Sequence, residues 1–421
     1  MAKGRRLRVV FLAQRVPYPP TRGDKIITWR MLQRLHEAHE VTCIAFVHGR
    51  DDAAGAAELR RLGIDIVTVP YRPVIGFLKS LKAIVTEQPL TTTFLVSSRV
   101  QAELRSRMHR TDVAVAFSSS MGAYLLDWPS VPRILHFCEL DSDKWLQYAQ
   151  RTAAPMRWIY ARESRVLLTL ERRLAAKMNA NLVCTPLERS IFESRIPGSS
   201  TGVMPNGVDL EYFSPKGLQP ERGHLVFTGV MNYFPNVDGC EWLVREVLPK
   251  VIADHPQVKL TIVGSNPSRA VTRLTRDSHV MVTGAVLDTR SYVRRAAIVV
   301  APIRIARGIQ NKVLEGLAMG VPVVATSAAV QGVGGIANRD YVVADDVVTM
   351  AAAISNLLSR DEERTALGAR GRAFVESHYS WDRSLGIFDE VMASVLSEAH
   401  SDGSEEGLRT IQSREQAVSS L

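Results

Sequence analysis

The strongest constraint on this chain is an alternation. Short runs of β-branched and apolar residues at 7–13, 41–46, 64–69, 112–117, 134–137 and 181–185 are separated by stretches with helical periodicity. A chain that alternates strand and helix in this way closes as a parallel sheet with helices on both faces. The same pattern returns at 225–228, 259–263, 280–282, 298–301, 321–325 and 341–343, so the expected class is α/β with two Rossmann-like, doubly wound domains. At 421 residues there is room for both.

The break between the two series is marked by turn chemistry: Pro205-Asn206-Gly207, then a stretch at 213–223 rich in Pro and Gly. The expected organisation is a first domain over 1–204, a linker over 205–223, a second domain over 224–378, a closing amphipathic helix over 379–398 and a disordered tail over 399–421. The tail is rich in Ser, Glu and Gln, a composition that buries little. Sheets of this kind hold ligands outside the carboxyl ends of their strands, so two facing domains predict a cleft lined by both.

Composition narrows the class. Hydrophobic residues make up 46% and charged residues 23%, and no stretch approaches the roughly 20 apolar residues of a membrane span. The run at 7–13 is short and interrupted by Arg8, which reads as a first core strand and not as a leader. Cys43, Cys138, Cys184 and Cys240 are scattered without Cys-x-x-Cys spacing, which points away from zinc and disulfides and toward a reduced, cytoplasmic protein. The net charge of +9 is uneven: residues 1–200 hold 30 Lys and Arg against 18 Asp and Glu, and residues 201–421 hold 22 against 25. An anionic partner of the first half is implied.

One segment carries most of the chemistry. Gly308 precedes a helix that begins near Lys312, and the helix lies between the runs 298–301 and 321–325. A glycine lets backbone approach a ligand, and a helix N-terminus presents N–H groups and the positive end of its dipole to an anion. Arg307 and Lys312 add charge at that end, where a diphosphate fits. Glu315 shares a helical face with Lys312 and suits sugar hydroxyls. Taken alone, the same segment also reads as an ordinary βαβ turn with a surface Lys–Glu pair.

The run Leu314-Glu315-Gly316-Leu317-Ala318-Met319-Gly320-Val321-Pro322-Val323-Val324 resembles the family 4-like glycosyltransferases of GT-B fold, with a Leu-Glu-x-x-Ala-x-Gly-x-Pro-Val-Val signature. Further likeness is to a subgroup of sugar transferases associated with exopolysaccharide and exosortase (PEP-CTERM) gene clusters. It runs through Arg15 to Lys25, Asp141-Ser142-Asp143-Lys144-Trp145, Phe227 to Asp238, and Gly308 to Lys312. The resemblance covers nearly the whole chain to about Leu396. It implies a nucleoside-diphosphate sugar as co-substrate, no separate cofactor, no metal, and transfer with retention of anomeric configuration.

Two departures stand out. The wider family pairs two glutamates eight positions apart, and the position eight before Glu315 is Arg307. It also often carries Gly-Arg and a Lys after the first strand of the second domain, where this chain has Gly229-Val230-Met231. Phosphate neutralisation then falls to Lys312, Arg307, Arg304 or the first-domain loop.

The remaining candidates follow. Arg22, Gly23 and Lys25 form a loop that opens a helix after the first strand, suited to a donor or an acceptor. His136 and Asp141 are candidate catalytic groups near an acceptor hydroxyl, against a core role for His136 and helix capping by Asp141 or Asp143. Asn236 reads as a helix cap. Asn311, Gly229 and Gly284 join Gly308 and Glu315 as donor-binding positions. The basic, aromatic-rich stretches 150–177 and 72–85 suggest peripheral contact with anionic lipid of the inner leaflet, against ordinary surface helices.

Together these expectations describe a metal-independent hexosyltransferase moving sugar to a glycan or lipid-linked acceptor in exopolysaccharide or cell-surface polysaccharide biosynthesis. The rivals are a nucleotide-sugar epimerase of the same fold and a non-catalytic scaffold of a polysaccharide assembly complex. Nucleic-acid binding ranks third and is not expected, since the positive charge lies in amphipathic helices and no recognised binding module accompanies it.

Overall fold

The computed structural model describes residues 5–74, 76, 83, 86–306 and 308–418, with side chains described up to residue 399 apart from residue 151. The chain divides into two compact units: Met1–Met204 with Leu385–Leu421, and Pro205–Ser384.

In the first unit the strands are β1 (Arg8–Ala13), β2 (Glu40–Val47), β3 (Asp65–Pro70), β4 (Val113–Phe117), β5 (Arg133–Cys138), β6 (Ala180–Val183) and β7 (Gly202–Val203). They form one parallel sheet in the order β3-β2-β1-β4-β5-β6-β7. In the second unit β8 (His224–Thr228), β9 (Lys259–Val263), β10 (Val280–Val282), β11 (Ile298–Ala301), β12 (Val323–Ala325) and β13 (Val342–Val343) pair in the order β10-β9-β8-β11-β12-β13. Each sheet starts in the middle, winds outward to one edge and then returns to build the other. The carboxyl ends of β1 and β4, and of β8 and β11, therefore flank the crevice at each reversal point.

The central strands β4, β8 and β11 are buried along their whole length, which is why β4 and β11 are written as unbroken apolar runs and the apolar centre of β8 does not alternate. Helices cover both faces. Leu12, Ile44, Leu135 and Phe137 anchor one core, and Phe227, Leu260, Val299 and Leu317 the other, all essentially inaccessible.

The residues expected to form a linker, 205–223, lie inside the second unit, where the Val208 N–H bonds the Tyr379 carbonyl at 2.8 Å. The closing helix is longer than its amphipathic pattern suggested. It runs Trp381–Val418, through the stretch read as a tail, and returns to the first unit, where Asp389 pairs with Arg34 at 2.7 Å. Among the described residues no helix is long and apolar enough to cross a membrane.

Candidate functional site

In the second unit the site is built at the reversal point between β8 and β11. The chain leaves β11 at Ala301 and turns left-handed at Gly308 (φ +61°). It enters the helix Asn311–Ala318 and returns through β12 beside β11. The Gly308 carbonyl lies where a Cβ on Gly332 would stand, so the loop after β11 is seated on a second glycine.

Lys312 is partly buried on the first turn of this helix. Its Nζ donates to Asn236 Oδ1 at 3.1 Å and to Gln310 Oε1 at 3.2 Å, and it stands 5.7 Å from the Phe227 ring centroid. Asn236 is almost fully buried, and its Nδ2 donates to the Val230 carbonyl at 2.9 Å. Asn236 thus ties the lysine to the loop after β8. It is not the cap expected from its place beside Pro235: the cap position is Tyr233, and Asn236 is the third residue of the helix Phe234–Trp242.

Glu315 follows on the same helix, also partly buried. Burial raises its carboxyl to about 7, opposed by the Lys312 charge, and burial lowers the Lys312 ammonium to about 8. Both groups therefore change charge near neutral pH. Arg304 does not join them. Its guanidinium forks onto Asp238 at 2.9 and 2.5 Å, a bidentate pair that occupies its donors. Asn311 Oδ1 accepts from Asn206 Nδ2 at 3.4 Å. Arg307 lies outside the described residues.

Gly229 and Gly284 come together through a residue that sequence reasoning missed. Gly264 follows β9; its N–H donates to the Gly284 carbonyl at 3.2 Å, and a Cβ on it would stand 1.6 Å from the Gly229 carbonyl. Three glycines thus line the ends of β8, β9 and β10, where backbone without side chains admits a flat or anionic ligand.

The first unit places the other candidates. Arg22 precedes the helix Gly23–Ala38 and pairs with Asp24 at 3.4 Å. Lys25 points into the unit: it is 4% exposed and forms a buried ion pair with Asp52 at 2.7 Å. Lys25 thus turns into the unit and holds the Arg22-Gly23 loop from behind through Asp52. On the other side of the reversal point, Gln14 Nε2 donates to Ser120 Oγ at 3.3 Å, linking the ends of β1 and β4.

His136 is a correction to the sequence reading. It is wholly buried on β5, stacked on Phe117 at 5.2 Å. Its Nδ1 accepts the Cys138 N–H at 3.0 Å and its Nε2 faces the Met204 carbonyl at 3.4 Å. Burial holds its pKa down at about 4. Both ring nitrogens are committed to backbone, so the ring is a neutral tether for the left-handed Cys138 (φ +68°) and not a catalytic base.

Asp141 opens the helix Asp141–Arg151 and is partly buried. Neither it nor Asp143 caps that helix. The cap comes from across the fold, because the Ser142 N–H donates to Glu171 Oε1 at 3.2 Å and the Leu140 N–H to Glu188 Oε2 at 3.3 Å. Glu139 is paired with Lys144 at 2.7 Å and Asp143 accepts from Gln147 at 3.2 Å. The loop that presents Asp141 is therefore held from beneath by His136, Glu171 and Glu188. The four cysteines are free thiols, and among the described residues no three His, Cys, Asp or Glu side chains converge as a metal site.

Residues 222–360 match the family described as "Glycosyl transferases group 1". A GDP-mannose-dependent monoacylated alpha-(1-6)-phosphatidylinositol monomannoside mannosyltransferase of Corynebacterium glutamicum is 29% identical over 214 residues, 46% of this chain and 55% of that protein. The match thus spans about half the length of that relative. Among solved structures, sucrose-phosphate synthase from Thermosynechococcus elongatus superposes with a TM-score of 0.70 at 16% identity, covering 93% of this chain and 100% of the other. Anabaena HepE, solved in complex with UDP-glucose, superposes with a TM-score of 0.64 at 14% identity, covering 92% and 100%. The chain has the GT-B fold, and its residues 222–360 are similar to the group 1 glycosyltransferases.

Proposed function

We propose that this chain transfers a hexosyl group from a nucleoside-diphosphate sugar to a hydroxyl of a glycan or lipid-linked acceptor in cell-surface polysaccharide synthesis, with retention and without a metal. The observation that carries the reading is the Lys312 ammonium held by Asn236 at the reversal point of a group 1 glycosyltransferase domain. HepE binds UDP-glucose on the same fold, and the Corynebacterium relative is named for a GDP-mannose donor and a phosphatidylinositol-linked acceptor.

In this reading Gly308, Asn311, Gly229 and Gly284 shape the donor pocket and Glu315 receives the ribose hydroxyls. Lys312, with Arg307 and the helix N-terminus, carries the charge that develops on the departing diphosphate. The proton of the acceptor hydroxyl leaves with that diphosphate, which the same cation stabilises. Asp141 and the Arg22-Gly23 loop face the acceptor, and the enzyme works at the cytoplasmic side of an anionic membrane.

A calorimetric and thermal-shift screen against UDP, GDP, ADP and their sugars tests the donor site. Saturable binding of one nucleotide that Glu315→Ala abolishes is the expected result; no binding by any of them removes the reading. Product analysis with acceptor present separates transfer from epimerisation. Lys312→Ala lowers turnover by roughly 3 kcal/mol of transition-state stabilisation, as loss of one preorganised charge donor does.

A further inference from the structure

The helix Met156–Lys177 carries its charges in two directions. Both of its acids point inward. Glu163 is buried and accepts the Leu90 and Thr91 N–H groups and the Thr91 hydroxyl, each at 2.8 Å, while Glu171 is buried beneath the Asp141 loop. The exposed charges on the helix are all basic: Arg157, Arg165, Arg172, Arg173 and Lys177. Trp158, Arg165 and Arg172 recur every seven residues, two helical turns, and so form one solvent-facing stripe.

The apolar end of that stripe is uncovered. Trp158 is 70% exposed, with Met156 and Ile159 exposed beside it, on the first turn after the preceding helix. Tyr160 packs against Trp145 and Tyr148 of the helix Asp141–Arg151, at 5.1 and 6.1 Å between ring centroids, and these three rings are themselves half-buried. Arg162 bonds the Ala83 and Gln88 carbonyls, and Glu87 pairs with Arg165 at 3.3 Å. Glu87 is thus an acidic group that faces the stripe.

We infer that this stripe is a docking surface for an anionic phospholipid bilayer, with Trp158, Met156 and Ile159 entering the interface and the arginines meeting headgroup phosphates. A surface helix of a water-soluble unit has reason to scatter its acids among its bases. Here the fold consumes every acid of the helix in internal hydrogen bonds and leaves outward a row of cations led by an exposed indole. Indole and guanidinium side by side suit the boundary between acyl chains and phosphates. A nucleic acid would use the cations but would leave the Met156–Ile159 tip in water. The surface deepens the membrane side of the reading above, and vesicle binding does not depend on the transfer chemistry.

The test is flotation of the full chain with vesicles of phosphatidylcholine alone or mixed with phosphatidylglycerol. Binding to the anionic vesicles only, weakened by salt, is expected. Combining Arg165→Glu, Arg172→Glu and Arg173→Glu should weaken it by more than about tenfold, and Trp158→Ala by about fivefold. Lys250→Glu and Met281→Ala, exposed positions of the second unit, should leave it unchanged. Unaltered melting temperatures keep folding out of the comparison. Absence of binding to anionic vesicles at low salt, equal binding to both compositions, or variants that bind like the parent would each overturn the inference. The nucleotide titration is a separate readout, so the two proposals fail independently.

Discussion

Asn236 and Lys312 are 76 positions apart in sequence and 3.1 Å apart in space, and the amide holds the ammonium with one arm while its other arm grips the Val230 carbonyl. The lysine is thereby fixed against the loop that follows β8. Burial has already lowered its proton affinity, so the Asn236 oxygen is part of what keeps the charge in place.

Replacing Asn236 by Leu removes that acceptor and the bond to the loop together. A hydrogen bond to a charged group contributes about 1.5–3 kcal/mol, so nucleotide affinity should fall at least tenfold. Asn236→Asp keeps the acceptor and should retain more affinity than Asn236→Leu. Calorimetric titration with the nucleotide that binds the parent checks both, and equal affinities for the two variants would detach Asn236 from the site.

The Lys312 and Glu315 shifts predict a narrow pH window for donor binding. Glu315 ionises as pH rises through about 7, and Lys312 loses its proton as pH rises through about 8. Affinity for the nucleoside diphosphate should therefore peak between those values in the free protein. Lys312→Met should remove the alkaline limb and Glu315→Gln the acid limb. A flat profile in the parent protein would show that neither group meets the donor.

His136 makes a prediction about stability and not about turnover. Its native pKa of about 4 lies below the ordinary 6.5, so between those values the unfolded chain binds a proton that the native one refuses. Stability is complete above 6.5 and is lost as pH falls toward 4, by up to about 3 kcal/mol. His136→Phe should flatten this acid limb of the unfolding curve. It should leave turnover per folded molecule near that of the parent, which a catalytic imidazole would not allow.

The fold was legible because its central strands are buried on both faces and must be written as apolar runs; β4 and β11 could be read off directly. The loop, helix and strand around Lys312 were legible for the same reason, since they are contiguous in the chain. What the sequence hid is what depends on partners far away. Asn236 beside Pro235 has the local signature of a cap, and only the folded chain brings it to Lys312. Gly264 has no motif around it, yet it joins Gly229 to Gly284. A histidine at the end of a strand reads alike whether it faces substrate or core, and packing decides for His136. Glu171 lies within the basic stretch 150–177 with nothing local to mark it, while its partners lie at Ser119 and Ser142.

Glu171 supplies the last prediction. Its side chain is inaccessible, accepting from the Ser142 N–H at 3.2 Å and facing the Ser119 hydroxyl at 3.3 Å. Burial, aided by the Asp141 charge, raises its carboxyl to about 8. The native state thus keeps a proton that the unfolded chain gives up above about 4.5, and the protein loses stability as pH rises from there toward 8. The slope is about 1.4 kcal/mol for each pH unit crossed. Glu171→Gln keeps both acceptor contacts on the carbonyl oxygen and has nothing to ionise. It should raise the melting temperature at pH 8 and change it little at pH 5. Glu171→Ala leaves the Ser142 N–H without its cap and should lower the melting temperature at both values. If the Gln variant melts below the parent at pH 8, the buried carboxylate is stabilising in its charged form and the neutral assignment is wrong.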